Sequence, residues 1–124
     1  MTQHQANKRG QAAETYVSHW LQQRGLVLLE RNYHCQFGEI DIIARQEAIL
    51  VFVEVRFRRS SSYGTALDSV TYHKQQRLIQ AALHYLLTQQ ISTDTVCRFD
   101  VVGVYQDHGS TWHCQWIQNA FDGS

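Results

Sequence analysis

Three carboxylate side chains interrupt a stretch of sequence that otherwise has the composition of buried β-strands. Glu39 and Asp41 lie in the segment GEIDIIA, and Glu54 lies in LVFVEVRFR. Two ionised carboxylates about 5 Å apart repel each other by about 3 kcal/mol at an effective dielectric constant near 20. The cluster therefore needs a neighbouring cation or a retained proton.

Two kinds of cation would neutralise such a cluster. Arg56, together with Arg45 or Arg58, would form salt bridges with a purely structural role. A divalent metal ion would serve equally well, because Mg²⁺ prefers oxygen ligands and is held by carboxylates, waters and substrate phosphate. Such an ion would polarise a phosphodiester and activate a water molecule for in-line attack. The residue types alone leave both interpretations open.

Strand periodicity predicts that the acids of the two segments face each other. Only the residues QEAI separate the two β-prone runs, which indicates an antiparallel hairpin. If Arg45 pairs with Leu50, Asp41 lies opposite Glu54. A shift of one residue would move these carboxylates to opposite faces of the sheet.

The same register makes two further predictions about neighbouring side chains. It pairs Glu39 with Arg56 across the hairpin. Strict alternation also places Ile40 and Ile42 together on the face opposite Asp41.

The elements around the hairpin indicate one α/β domain over residues 1–124, with residues 1–9 as a flexible N-terminal arm. The polar loop FRRSSSYGTALDS follows the hairpin. The order α-β-β-β-α-β-β predicts a mixed central sheet flanked by helices. Helical and strand periodicity predicts two helices, at 8–24 and 71–90, and strands at 26–33, 38–56 (the hairpin), 96–105 and 111–118.

Composition and charge favour a cytoplasmic protein without a membrane segment. The longest wholly apolar run, Ile49 to Val53, is too short for a span, and the polar N-terminus lacks a signal core. The three cysteines show no CxxC spacing, which fits a reducing compartment. A formal net charge of zero argues against a protein that coats nucleic acid electrostatically. Arg58 and Arg59 would form a local phosphate-binding patch with weak, salt-dependent affinity, or would simply be solvated charges.

Several segments together resemble the YraN family of poorly characterised bacterial proteins: GEIDIIA, LVFVEVRFR, HKQQRLIQAALHYL, RFDVV and WIQNAF. The resemblance extends from Gly10 to Phe121. This family is similar to archaeal Holliday-junction resolvases of the PD-(D/E)xK nuclease superfamily. The resemblance implies a restriction-endonuclease-like fold and a metal-dependent endonuclease acting on branched or structured DNA. It also implies a homodimer, because resolvases cut two symmetric strands.

The resemblance assigns metal-binding roles to four residues. Asp41 and Glu54 match the two motif acids, and both would bind Mg²⁺ or Mn²⁺. The backbone carbonyl of Val55 would be a further ligand. Glu14 matches the helical acid that completes the metal shell in resolvase-like proteins.

Other polar residues are assigned around this site. Gln75 matches the polar helix residue found beside such sites, with Gln76 as the alternative. Lys74 and Arg77 would extend a nucleic-acid-binding surface, or would form an ordinary polar helix face. Glu39 belongs to the GEID signature and is assigned as a support, paired with Arg56 or with the backbone.

Position 56 departs from the motif, which has lysine where this chain has Arg56. Arginine stays protonated, so it would hold a water molecule or stabilise negative charge on the scissile phosphate but would not readily act as a base. Two alternatives to the nuclease therefore stay open. One is a catalytically weak or inactive nucleic-acid-binding protein that retains the nuclease fold. The other is a structural or interaction protein whose acids are salt-bridged.

Overall fold

The computed structural model describes residues 3–59 and 65–123, and within them a five-stranded sheet carries a long helix on each face. The predicted α/β class and the order α-β-β-β-α-β-β are confirmed. A short 3₁₀ helix, Ala66–Ser69, precedes the second long helix. The long elements are α1 (Gln3–Gln23), β1 (Val27–Cys35), β2 (Gly38–Gln46), β3 (Ile49–Phe57), α2 (Tyr72–Thr88), β4 (Cys97–Gln106) and β5 (Trp112–Phe121).

The main difference from the predicted boundaries is at the N-terminus. Helix α1 begins at Gln3 rather than near residue 8, so residues 3–9 of the predicted arm are helical. Residues 1–2 of that arm, and residues 60–64 of the predicted polar loop, lie outside the described residues. The flexibility of the arm stays a prediction.

The sheet follows chain order, β1-β2-β3-β4-β5. The pairs β1–β2, β2–β3 and β4–β5 are antiparallel, whereas β3 and β4 are parallel. A parallel pair needs a crossover connection, and α2 lies in that connection. Within the described part of the chain, neither long helix combines the length and apolar character needed to cross a membrane.

Each face of the sheet is buried by one helix. Ala13, Val17 and Leu21 repeat every four residues on α1 and are fully buried. Tyr16 of α1 also stacks on Trp112, and Trp20 meets Trp116 edge-on, both on β5. The opposite face packs against the apolar side of α2, whose buried residues are Leu78, Ala81, Ala82, Tyr85 and Leu86.

The hairpin between β2 and β3 has the predicted register. Arg45 pairs with Leu50, and the ladder extends to the pair of Ile42 and Val53. Continuing this register places Asp41 opposite Glu54.

Side-chain alternation along β2 is broken near the acids, so one prediction is wrong. Ile40 packs on the α2 face with Ile43, whereas Ile42 packs on the α1 face. Ile40 and Ile42 therefore do not share a face.

A matching break lies in the neighbouring strand β1, where Arg31 pairs with Ile42 and Tyr33 with Ile40. Asn32 has a φ of 55°, a left-handed conformation that few residue types other than glycine and asparagine tolerate. On one side of it, Arg31 bonds to Thr15 of α1 at 3.2 Å. On the other side, Tyr33 packs edge-on against Tyr85 of α2. The left-handed residue thus directs its two neighbours to opposite layers.

Candidate active site

Asp41 lies where the regular pairing between β2 and β3 stops. Its Oδ2 accepts a hydrogen bond of 2.8 Å from the backbone N–H of Val55. A side-chain oxygen thus takes the place of a strand carbonyl, and it fixes the Asp41 carboxylate between the two strands.

Asp41 connects two acids that come from different elements. Glu14 on α1 and Glu54 on β3 both lie close enough to Asp41 for its carboxylate to raise their pKa values. The structure thus places Glu14 and Glu54 beside Asp41, and the predicted convergence of the three on one metal-binding pocket stays a prediction. A carboxyl group held this close to another acid is favoured in its protonated form.

The raised pKa values of two members show how the repulsion is relieved. Burial, and after it the neighbouring Asp41, raise the pKa of Glu54 to about 8, although Lys74 and Arg56 act in the lowering direction. Burial and then Asp41 likewise raise the pKa of Glu14 to about 7. Protons retained near neutral pH therefore take the place of a compensating cation.

Glu54 is buried in an unusual way. Its exposed fraction is 5%, and its Oε2 has no hydrogen-bond partner among the described residues. The Nζ of Lys74 lies 3.6 Å from this oxygen, which is an ion-pair distance but too long for a hydrogen bond. A buried oxygen without a hydrogen bond costs about 1–3 kcal/mol and calls for an explanation.

Asp100 shows how this fold treats a buried acid with a structural role. It is 1% exposed and accepts hydrogen bonds from the guanidinium of Arg98. The indole N–H of Trp116 and the backbone N–H of Asn119 each donate to it at 2.9 Å. Both oxygens are satisfied, so Asp100 fastens β5 to β4, and Glu54 has no such set of donors.

Asn32 is a member of the site that the sequence did not identify. The Asn32 amide is oriented so that both its oxygen and its nitrogen have suitable partners. Its NH₂ group then donates to Glu14 Oε1 at 3.0 Å and to Glu14 Oε2 at 3.2 Å. The residue that breaks the alternation of β1 therefore also holds Glu14. The available signal was an asparagine inside a β-prone run, where asparagine is uncommon.

The predicted pair of Glu39 and Arg56 is wrong. Glu39 is the ladder partner of His34, and its Oε1 lies 3.3 Å from His34 Nδ1 on the open surface. The Nε of Arg56 instead donates to Ser69 Oγ of the 3₁₀ helix at 3.0 Å. The regular ladder between β2 and β3 ends before these two residues, so the register does not bring them together.

Lys74, rather than Gln75, is the residue of α2 that the structure brings to the acids. Gln75 Nε2 donates to the carbonyl of Val70 at 3.1 Å, which ties the start of α2 to the preceding segment. Gln76 is half-buried on the same helix. Catalytic roles for Gln75 and Gln76 stay predictions.

A pocket of about 190 Å³ is lined by Lys74 but not by Glu14, Asp41 or Glu54. Arg77 lines it and donates from Nε to the carbonyl of Phe37 at 3.1 Å. Gly38 lies under the Arg77 side chain with a φ of 150°, a backbone conformation that side chains rarely adopt. The full lining is Gly38, Glu39, Lys74, Arg77 and Leu78.

The two arginines after β3 lie at the end of the sheet. Arg58 donates its backbone N–H to the carbonyl of Val104 at 2.8 Å and is half-buried, and Arg59 is exposed. Phosphate binding by either residue stays a prediction.

Asp41 and Glu54 offer oxygen atoms, which hard divalent cations prefer as ligands. Across residues 3–59 and 65–123, however, no group of three or more His, Cys, Asp or Glu side chains is arranged so that it could hold a metal ion, so Glu14 does not complete a set of three ligands. Oxygens of Asp41 and Glu54, with waters, nevertheless match the usual holding of Mg²⁺ by one or two carboxylates. Among the described residues, the buried Oε2 of Glu54 has no hydrogen-bond partner, so this oxygen would be available to a metal ion.

Comparison with known proteins gives a consistent set of relatives. The model of "Uncharacterised protein family UPF0102" matches residues 13–104. A UPF0102 protein of Nitrosococcus oceani is 48% identical over 113 residues, covering 91% of this chain and 90% of the relative. One from Alcanivorax borkumensis is 49% identical, covering 90% of each. Among solved structures, Pyrococcus furiosus SfsA in complex with Ca²⁺ matches with a TM-score of 0.44 and 13% identity, covering 91% of this chain and 63% of that chain.

Proposed function

The chain belongs to the uncharacterised protein family UPF0102, also called YraN, and we propose that it is a metal-dependent endonuclease of resolvase type. Its substrate would be branched or structured DNA, as the resemblance to resolvases implies. Cytoplasmic location and a homodimer belong to the same proposal.

One observation carries this proposal: Glu14 and Glu54 lie beside Asp41, and one oxygen of the buried Glu54 has no hydrogen-bond partner among the described residues. A structural acid would be satisfied by donors, as Asp100 is. Strongly raised pKa values that arise from burial and neighbouring acids are typical of functional sites.

Each residue of the site has a role in this proposal. Asp41 and Glu54 would hold Mg²⁺ or Mn²⁺, with Glu14 and the carbonyl of Val55 as further ligands. The bound ion would supply charge neutralisation and Lewis acidity at the phosphodiester. Arg56 would stabilise negative charge but not remove a proton from water, because its guanidinium stays protonated.

The DNA backbone would contact cations around the acids. Lys74 and Arg77 line the adjoining pocket, and Arg58 and Arg59 follow β3. Because the net charge is zero, binding would depend on this local patch and would weaken with salt.

A second candidate function is a nucleic-acid-binding protein with weak or no catalysis. Two observations favour it. Arg56 replaces the motif lysine, and Glu14 and Glu54 keep protons up to about pH 7 and about pH 8. Protonated carboxyl groups bind divalent ions poorly, so activity would be confined to alkaline conditions.

The proposal is tested by titrating Ca²⁺ and Mn²⁺ calorimetrically into the wild type and Asp41→Asn. We expect the variant to lose affinity by about a hundredfold or more, because the amide removes the central charge. Asp94→Asn, an exposed residue in the connection between α2 and β4, is the matched control and should bind like the wild type.

A cleavage assay on duplex, single-stranded, flap and four-way-junction DNA with Mg²⁺ or Mn²⁺ separates the two candidates. Cleavage that Asp41→Asn abolishes supports the nuclease. DNA binding without cleavage of any substrate favours the binding protein, and neither ion binding nor DNA binding contradicts both.

A further inference from the structure

Lys74 lies between the acids and the adjoining pocket. Its backbone N–H donates to Thr71 Oγ1, the N-cap of α2, so the side chain belongs to the first turn of this helix. Its Nζ is 3.6 Å from Glu54 Oε2, and the same side chain lines the pocket with Arg77. The Lys74 side chain is 38% exposed, so its ammonium group is at the opening of the site.

The charge of Arg56 also lowers the pKa of Glu54, but the Nε of Arg56 makes its hydrogen bond to the 3₁₀ helix. This Nε donates to Ser69 Oγ, and that hydroxyl donates in turn to the carbonyl of Ala66 at 2.6 Å. Ala66 is packed closely on β4, because a Cβ added at Gly103 would lie 2.6 Å from the Ala66 Cβ. The 3₁₀ helix is thus fixed on the sheet, and it holds the Arg56 guanidinium.

We propose that Lys74 binds a non-bridging phosphate oxygen of the DNA, and that its 3.6 Å contact with Glu54 is given up when a divalent cation binds beside Glu54. This inference rests on the proposed function. Lys74 would thereby supply from α2 the compact ammonium group that position 56 of β3 lacks.

Electrostatics supports such an exchange of partners. A dication beside Glu54 repels the Lys74 ammonium and takes over the neutralisation of the carboxylate. Lysine has a flexible four-carbon stem and three donors, so its charge is able to move to a nearby phosphate. The pocket next to it contains the cations of Lys74 and Arg77 against the single acid Glu39, which is already beside His34.

The test compares Lys74→Met with Arg45→Met, which removes the same charge from an exposed position beside the hairpin turn. Ca²⁺ affinity is measured by calorimetry, and affinity for a labelled four-way junction by fluorescence anisotropy in Ca²⁺. We expect Lys74→Met to bind Ca²⁺ as tightly as the wild type or up to about tenfold more tightly, and DNA about tenfold more weakly. Arg45→Met should match the wild type in both, and Lys74→Arg should recover most of the DNA affinity.

Two outcomes would overturn the assignment of Lys74 alone. In the first, Lys74→Met loses Ca²⁺ affinity and keeps DNA affinity, so that Lys74 merely organises Glu54. In the second, its DNA affinity falls no further than that of Arg45→Met. If the wild type binds neither Ca²⁺ nor DNA, the proposed function fails together with this inference. If Lys74→Met does not fold, Lys74→Gln replaces it in the same comparison.

Discussion

At the scale of single residues, the burial of Glu54 lowers the stability of the folded protein. Its carboxyl group is buried, one of its oxygens lacks a hydrogen bond among the described residues, and its pKa is raised to about 8. Functional sites commonly keep such unfavourable groups, so that replacing them stabilises the protein.

Glu54→Gln should therefore stabilise the protein while removing its ion binding. At about pH 8.5 in EDTA, we expect the free energy of unfolding to rise by about 1–2 kcal/mol, because a neutral amide replaces a carboxyl group that is unfavourable to ionise there. At about pH 5 the gain should be smaller, since Glu54 is then protonated. Urea denaturation at the two pH values measures the difference.

The matched control for this change is Asp100→Asn. Asp100 accepts charge-assisted hydrogen bonds from Arg98, so its replacement should lower stability by about 2–4 kcal/mol. If Glu54→Gln also lowers stability at about pH 8.5, Glu54 acts as a salt-bridge partner of Lys74, and the structural interpretation of the acids is the better one.

At the scale of the elements, Asn32 on β1 determines how a strand and a helix meet. Its left-handed backbone directs Arg31 toward α1 and Tyr33 toward α2, and its amide holds Glu14. The backbone role and the amide role are separable, because glycine tolerates this conformation without offering an amide.

Asn32→Gly and Asn32→Ala separate these two roles. We expect Asn32→Ala to be less stable than Asn32→Gly by about 1 kcal/mol, since alanine is strained at positive φ. Both should bind Ca²⁺ about tenfold more weakly than the wild type, because Glu14 loses its orienting partner. Urea denaturation and calorimetry measure the two effects. Wild-type Ca²⁺ affinity in both variants would limit Asn32 to its backbone role.

The hairpin was predictable from sequence because its causes are local. The short turn and the alternation of side chains along each strand determined the pairing of Arg45 with Leu50. This pairing in turn places Asp41 opposite Glu54. The contacts of Ile40 were not predictable in this way, because a residue in a neighbouring strand breaks the alternation.

Contacts between distant elements were harder to predict. The pairing of Lys74 with Glu54 depends on where α2 packs, and that of Arg56 with Ser69 on a 3₁₀ helix inside a segment predicted as loop. The convergence of Glu14 followed from family resemblance, whereas its partner Asn32 carried no recognised motif.

At the scale of the whole molecule, the raised pKa values connect stability to pH. Glu14 and Glu54 have pKa values of about 7 and about 8 when folded, against an ordinary value of 4.5. Between these values the folded protein holds protons that the unfolded chain has released. The stabilising contribution of the two groups is therefore fully present below about pH 4.5, and it is lost as the pH rises through about 7 to 8.

The melting temperature in EDTA should accordingly fall between about pH 5.5 and about pH 8.5, and Ca²⁺ should reverse the fall. At about pH 8.5, a free Ca²⁺ concentration of roughly a hundred times the Kd should raise the free energy of unfolding by about 2.7 kcal/mol. This corresponds to a rise of several degrees in the melting temperature. At about pH 5.5 the gain should be much smaller, because protons compete with the ion. Differential scanning calorimetry measures both, and a Ca²⁺ effect that Asp41→Asn retains would contradict a site at the acids.

The aromatic contacts of α1 give the molecule an intrinsic optical reporter. Trp20 on α1 meets Trp116 of β5 edge-on, and Tyr16 stacks on Trp112. All three tryptophans of the chain therefore lie at the interface between α1 and the sheet, and their fluorescence reports on that interface. Helix α1 also carries Glu14. A shift of this helix relative to the sheet on ion binding would therefore alter the surroundings of these indoles. Their emission wavelength and quenching follow that helix in the unlabelled protein.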